Sequence, residues 1–103
     1  MNAESKPLPA SVMALDRVVH EPARLVILSA LATAESAEFR FLEFLTGLTA
    51  GNLSSHIAKL EAAKYVTVEK TFRDKRPLTT LRITPAGREA LQNYRQNMKR
   101  ALA

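Results

Sequence analysis

The side chains able to do chemistry in this chain are few and scattered. There are two histidines, His20 and His56, far apart in sequence, and no cysteine. The missing thiols exclude disulfides, Fe–S clusters, thiolate zinc sites and a cysteine nucleophile. The histidines belong to no cluster with ligand spacing, so neither a metal nor a cofactor is expected. No paired carboxylates and no Ser/His/Asp arrangement can be assembled, and Gly51 and Gly87 are too isolated to form a phosphate-cradling loop. An enzyme is the weakest reading. The chain offers cations and short hydrogen-bonding side chains instead. Gly51, Asn52, Ser55, Ala58 and Lys59 lie within one stretch, and Arg73-Asp74-Lys75-Arg76-Pro77 form a basic run. Such groups bind polyanions: each cation that neutralises a phosphate releases condensed counterions, and short amides and hydroxyls hydrogen-bond base edges.

The charge distribution supports a polyanionic partner. The chain carries 15 Lys and Arg against 10 Asp and Glu, a net charge of +5. Residues 1–47 hold four basic and six acidic side chains, net −2, while residues 48–103 hold eleven basic and four acidic, net +7. The positive field therefore belongs to the second half. The bland alternative is a solvated basic face. With 103 residues, 47% of them hydrophobic, the chain has the size and composition of a single folded domain. The longest apolar run, residues 25–34, is about half of what a membrane span requires. The first twenty residues contain Glu4, Lys6, Asp16 and Arg17 without an apolar h-region, so a cytoplasmic address and no membrane partner are expected.

Several elements must position the cations. Residues 1–10 are polar with two prolines and read as a loose arm, leaving residues 11–103 as the domain. Ser11 is a candidate cap for a short helix with Val12, Leu15 and Val19 on one stripe. Pro22 suits the first position of a second helix, in which Leu25, Val26, Ile27, Leu28, Leu31 and Ala32 occupy nearly every azimuth. That helix is expected to be buried all round. Phe39 and Phe41 alternate as in a very short strand, and Leu42 and Leu45 continue at helical spacing to Gly47, a good left-handed terminator.

Thr49 then reads as an N-cap, with Leu48 and Leu53 placed for a hydrophobic staple. Leu53, Ile57 and Leu60 form one buried stripe, which turns Gly51, Asn52, Ser55, Ala58, Lys59 and Ala62 outward. Ordinary solvated faces carry long charged side chains; this one lets a helix backbone come very close to something. From Val66 the period drops to two, with Val66, Val68, Lys70 and Phe72 on one side and, after the interruption 73–77, Thr79, Leu81 and Ile83, predicting a hairpin with a basic tip whose Pro77 stands where the second strand begins. Thr84-Pro85 starts a last helix, in which Leu91, Tyr94, Met98 and Ala101 make a seam for pairing with another helix. Tyr94 and Met98 read as packing residues rather than as a ligand pocket.

Helix, tight turn, helix and hairpin in that order make a winged helix-turn-helix. The residues also resemble a family. Pro22-x-Arg24 with Ile27-Leu28 and Leu31 is followed by Leu48-Thr-x-Gly51-Asn52-Leu53-Ser54-x-His56-x-x-x-Leu60-Glu61. Tyr65-Val66, Pro77-x-Thr79 and Thr84-Pro85-x-Gly87-Arg88 complete the pattern. Over residues 11–103 the chain resembles winged-helix transcription regulators of the MarR/ArsR type, particularly their minimal single-domain branch. The resemblance implies an α+β, mostly helical fold with N- and C-terminal dimerisation helices. It implies a homodimer that binds double-stranded DNA sequence-specifically.

Carried over, it assigns Thr49 to Lys59 to the major-groove helix, hence Thr49, Gly51, Asn52, Ser54, Ser55, His56 and Lys59 to DNA. Arg73, Lys75 and Arg76 fall on the wing, against the flanking backbone or minor groove. His56 borders the buried stripe and reads first as a packed histidine, second as a base contact. Arg24 fits a phosphate contact and a salt bridge equally well. The dimer contact is expected through Val12, Leu15 and Val19 together with Leu91, Tyr94 and Met98, because a three-helix core has no evident surface to cover both stripes. Lys64 and Asp74 stand where the family usually has glycine. A small-molecule effector, if there is one, has no separate domain to bind and would sit at the dimer interface. The alternative from another class is a winged helix used as a protein-interaction or assembly module.

Overall fold

The computed structural model describes residues 10–103. The loose arm expected over residues 1–10 lies outside the described residues except for Ala10, which opens the first helix. In chain order the elements are α1 (Ala10–Met13), α2 (Pro22–Ala34), β1 (Ser36–Glu38), α3 (Phe39–Thr46), α4 (Ala50–Ala62), β2 (Val66–Arg73), β3 (Arg76–Ile83) and α5 (Pro85–Leu102). The three strands form one antiparallel sheet in the order β1-β3-β2, with Ala37 opposite Leu81 and Val68 opposite Leu81 on the other side. This is the expected α+β winged helix-turn-helix: α3, a three-residue turn and α4, with β2 and β3 as the wing. None of the described helices is long and apolar enough to cross a membrane.

The core is contributed by every layer. Ile27, Leu28 and Leu31 of α2, Leu42 of α3, Leu53, Ile57 and Leu60 of α4, Val66 and Leu81 of the sheet and Leu91 and Tyr94 of α5 are buried together with Val19. The α4 stripe is thus the one its spacing predicts. Thr49 caps α4 by accepting from the Asn52 N–H, and Leu48 packs against the core as the staple requires.

Four expectations are corrected. First, α1 is a single turn of helix that contains Ser11 instead of being capped by it, and the chain does not continue helically to His20. Asp16 Oδ1 accepts from the Val18 and Val19 N–H groups at 2.8 and 3.2 Å, a local bond that competes with helix. Second, α2 is not buried all round. Val26 is 41% exposed and forms, with Leu25, Ala30, Phe41 and Leu45, an apolar groove of about 650 Å³. Third, the short strand ends at Glu38 and Phe39 already begins α3. Two phenylalanines two apart fit either period, and pairing of residues 36–38 with β3 decides between them.

Fourth, the wing strands run closer to the tip than the proline suggested. Arg73 pairs with Arg76 around a two-residue turn in which Asp74 and Lys75 have φ of 51° and 66°, the geometry that matches strand twist. Pro77 is accommodated inside β3 opposite Phe72. In such a hairpin this is a non-hydrogen-bonded pair, so its missing N–H faces away from β2.

Candidate nucleic-acid interface

The geometry of α4 depends on how its ends are held. At its C-terminus Lys64 takes φ 65°; the Lys64 N–H donates to Glu61 and the Tyr65 N–H to Leu60, closing a Schellman motif with lysine where glycine is usual. Thr84 clamps this corner. Its hydroxyl donates to the Lys64 carbonyl at 2.7 Å, its N–H donates to the Tyr65 carbonyl at 3.0 Å, and its oxygen accepts from the Gly87 N–H as the α5 cap. The first turn of α5 therefore lies directly on Tyr65. A Cβ at Gly87 would stand 2.2 Å from the Tyr65 carbonyl oxygen. Gly87, read from sequence only as too isolated for a phosphate loop, is the close-packing point between α5 and the α4–β2 corner.

Behind α4 lies a set of polar groups satisfied within the chain. Arg24 Nε donates to the Val18 carbonyl at 2.6 Å and Nη1 to His56 Nδ1 at 3.2 Å, while Glu21 Oε1 accepts from the Arg24 N–H at 2.9 Å. The same His56 nitrogen lies 3.8 Å from Glu21 Oε1, so the three side chains form one cluster. His56 is half-buried in this cluster and departs from the exposed face, as its position beside the stripe suggested. The guanidinium of Arg24 is engaged by a carbonyl and an imidazole rather than by an acid. Tyr65 donates its hydroxyl to Asp16 Oδ2, and His20 Nδ1 is hydrogen-bonded to the Tyr94 hydroxyl at 2.7 Å. The Asp16 carboxylate beside it, through that hydrogen bond and then through burial and charge repulsion, pushes the Tyr65 phenol from 10.0 up to about 12. Asp16, Tyr65 and Tyr94 line a cleft of about 510 Å³ against Asn93, Asn97 and Arg100 of α5.

The front of α4 is different. Thr49, Gly51, Asn52, Ser54, Ser55, Ala58 and Lys59 are all exposed. A methyl placed on Gly51 would meet nothing within 4 Å, so the glycine there leaves backbone open where nothing inside the chain demands it. On the wing Arg73, Lys75 and Arg76 are likewise exposed, Lys75 in the turn itself. Between α4 and the wing runs a cleft of about 540 Å³ lined by Ser54, Ala58, Glu61, Lys70 and Thr79. Neither Lys70 nor Thr79 was assigned to a DNA-facing surface from sequence, Thr79 entering only through the strand alternation and the Pro77-x-Thr79 pattern. Lys70 was visible there only as a cation breaking the apolar side of the Val66, Val68, Phe72 alternation.

The terminal seam is used mostly inside the chain itself. Val19, Leu91 and Tyr94 are buried in the core, Leu15 and Met98 pack against it, and α1 contacts α5. The expectation that nothing within the chain covers the two stripes is therefore corrected: the α1–α2 segment and α5 cover each other. What stays outside at these ends is Val12, half-buried, with Met13 and Leu102 at 67% and 78% exposure. Among the described residues no three metal-ligating side chains converge.

A hydrogen-bonding helix front thus stands beside a cationic hairpin, and the family model for the winged helix DNA-binding domain matches residues 23–102. The chain belongs to that family. A winged helix described as a transcriptional regulator homologue from Pyrococcus horikoshii superposes on this one with a TM-score of 0.81 at 31% identity, covering 90% of this chain and 91% of that one. An uncharacterized protein of Methanocaldococcus jannaschii is 36% identical over 78 residues, 76% of this chain and 85% of that protein. A mutant MarR from E. coli, solved with operator DNA, superposes with a TM-score of 0.64 at 17% identity over 90% of this chain and 71% of its own, a likeness of fold. The winged-helix fold is shared with the solved MarR-family structures, a likeness of fold alone.

Proposed function

We propose that the chain is a sequence-specific, double-stranded DNA-binding transcriptional regulator acting as a homodimer. In this reading α4 enters the major groove and the wing lies on the flanking backbone or minor groove. The observation that carries it is the front of α4. Gly51 is open, and Asn52 and Ser55 stand exposed beside it, so a base edge can approach the helix backbone closely. Asn52 and Ser55 supply amide and hydroxyl groups to base edges, while Lys59, Lys75 and Arg76 reach phosphates.

The dimer reading rests on exposed Met13 and Leu102 with Val12 at the chain ends. Sedimentation equilibrium at micromolar concentration should give roughly twice 11.4 kDa; a monomer that persists on concentration ends the dimer reading.

The deciding experiment for the groove helix is fluorescence anisotropy with a duplex recovered by genomic footprinting and with its scrambled counterpart. Asn52→Ala and Ser55→Ala should each weaken the footprinted duplex by about 1–3 kcal/mol and the scrambled one by less. Equal losses on both duplexes would make them phosphate contacts; no loss on either removes α4 from the groove. Replacing Lys75 and Arg76 together by Ala should flatten the slope of log K against log salt by up to about 3–4 units per dimer with little change in preference. The assembly-module reading has the α2–α3 groove of Val26, Phe41 and Leu45 in its favour, and it predicts no preference between the two duplexes.

A further inference from the structure

Arg73 is the wing cation best suited to a narrow minor groove, yet in the DNA-free chain it is already held. Its Nη2 donates to Glu38 Oε2 at 2.9 Å, with the two side chains 62% and 39% exposed. Glu38 belongs to β1, which is separated from β2 by β3, so the pair ties the wing tip across the sheet to the start of the helix-turn-helix. Two further observations give the contact a purpose. Glu38 occupies the N-cap position of α3, and its side chain caps nothing there, although a carboxylate at a helix N-terminus is favourable. Arg73 also stands directly opposite Arg76 in the β2–β3 ladder, where like charges repel and a neighbouring carboxylate relieves them.

The geometry points to Glu38 as a specificity-determining residue that latches Arg73 in the free protein; this rests on the DNA-binding reading above. An exposed ion pair changes an equilibrium by up to about fivefold, weak enough for DNA to break and strong enough to bias where Arg73 goes. A random duplex offers Arg73 an ordinary phosphate. A narrow A·T-rich minor groove offers a deeper negative potential. The cost of the latch therefore falls in full on a site with A·T-rich flanks, where Arg73 leaves Glu38, and less on random DNA, where Arg73 can stay latched. Once Arg73 leaves, the carboxylate is within reach of the unmatched N–H groups in the first turn of α3.

The test uses four proteins, wild type, Glu38→Gln, Arg73→Ala and the double variant, in anisotropy titrations across a KCl series. The probes are a G·C-rich random duplex and the footprinted operator with A·T-rich flanks. Glu38→Gln should tighten the operator by up to about fivefold per wing and the random duplex by less, while the salt slope on the random duplex steepens by up to about 2 units for two wings as Arg73 is freed to meet phosphates. In the Arg73→Ala background the substitution should do nothing. Glu38→Ser, which can cap α3 but cannot hold Arg73, should reproduce the result and keeps the test valid if glutamine weakens the helix. No change in either variant overturns the latch. So does an equal gain with Arg73 absent, which is general charge removal, and so does a gain on the random duplex equal to or larger than that on the operator. Wild-type binding to neither duplex removes the DNA-binding reading itself and the latch with it.

Discussion

On the front of α4, Gly51, Asn52, Ser55 and Lys59 stand exposed, while behind it and at its C-terminal corner His56, Tyr65 and Gly87 are locked into contacts with Arg24, Asp16 and Thr84. Both regions contain a glycine and short polar groups, so residue type does not separate them. What separates them is whether the chain itself supplies the partner. Polar groups matched internally hold α4 at a fixed height and angle; polar groups left exposed are free to be matched by something else. The difference predicts that substitutions behind α4 alter stability and those in front alter binding.

The strongest way to break this comparison is Gly87→Ala. Its Cβ collides with a backbone carbonyl that two elements share, so the corner must open at a cost of about 3 kcal/mol, with a fall in Tm of some 12–20 °C. Thermal denaturation followed by circular dichroism at fixed protein concentration measures it. A stable Gly87→Ala protein would mean that the corner is looser than its hydrogen bonds suggest.

Gly51→Ala is the counterpart in front. With open space around it, alanine should stabilise α4 by about 1 kcal/mol through helix propensity and at the same time weaken binding to the footprinted duplex. Urea denaturation and anisotropy on the same preparation read the two effects. A gain in stability with unchanged binding would show that nothing approaches α4 closely at that point.

The smallest effect sharpens the comparison from the back. Tyr65 has its phenol raised from 10.0 to about 12 in the folded chain. The raised value means that the protonated phenol stabilises the fold, fully below pH 10 and progressively less as pH rises through 12. Wild type should therefore lose Tm between pH 10 and 12 more steeply than Tyr65→Phe, and the phenolate absorbance of Tyr65 should emerge only near pH 12. Parallel melting curves for the two proteins across that window would mean that Asp16 does not hold the hydroxyl.

Most of the secondary structure was legible because its signals are local. Thr49 with Leu48 and Leu53, the stripe Leu53, Ile57 and Leu60, and Thr84-Pro85 each specify an element within a few residues. So does the outward face of α4, since burying one side of a helix dictates the other. The pattern misled where two structures share it. Val12, Leu15 and Val19 suit a helix, yet Asp16 turns the chain between them; Phe39 and Phe41 suit a strand, yet they open a helix.

By itself the sequence determined the order of elements, the helix caps, the outward front of α4 and the placement of charge in the second half, all set by periods and spacings short enough to read along one element. Only the tertiary structure decided which polar groups are already matched. His56 meets Arg24 across 32 residues, Tyr65 meets Asp16 across 49, His20 meets Tyr94 across 74, and Arg73 meets Glu38 across 35. It likewise decided that Leu91 and Tyr94 belong to the chain's own core. The physical reason is that a hydrogen bond or a buried contact depends on distance in space, and once the chain has folded that distance bears no fixed relation to separation along it.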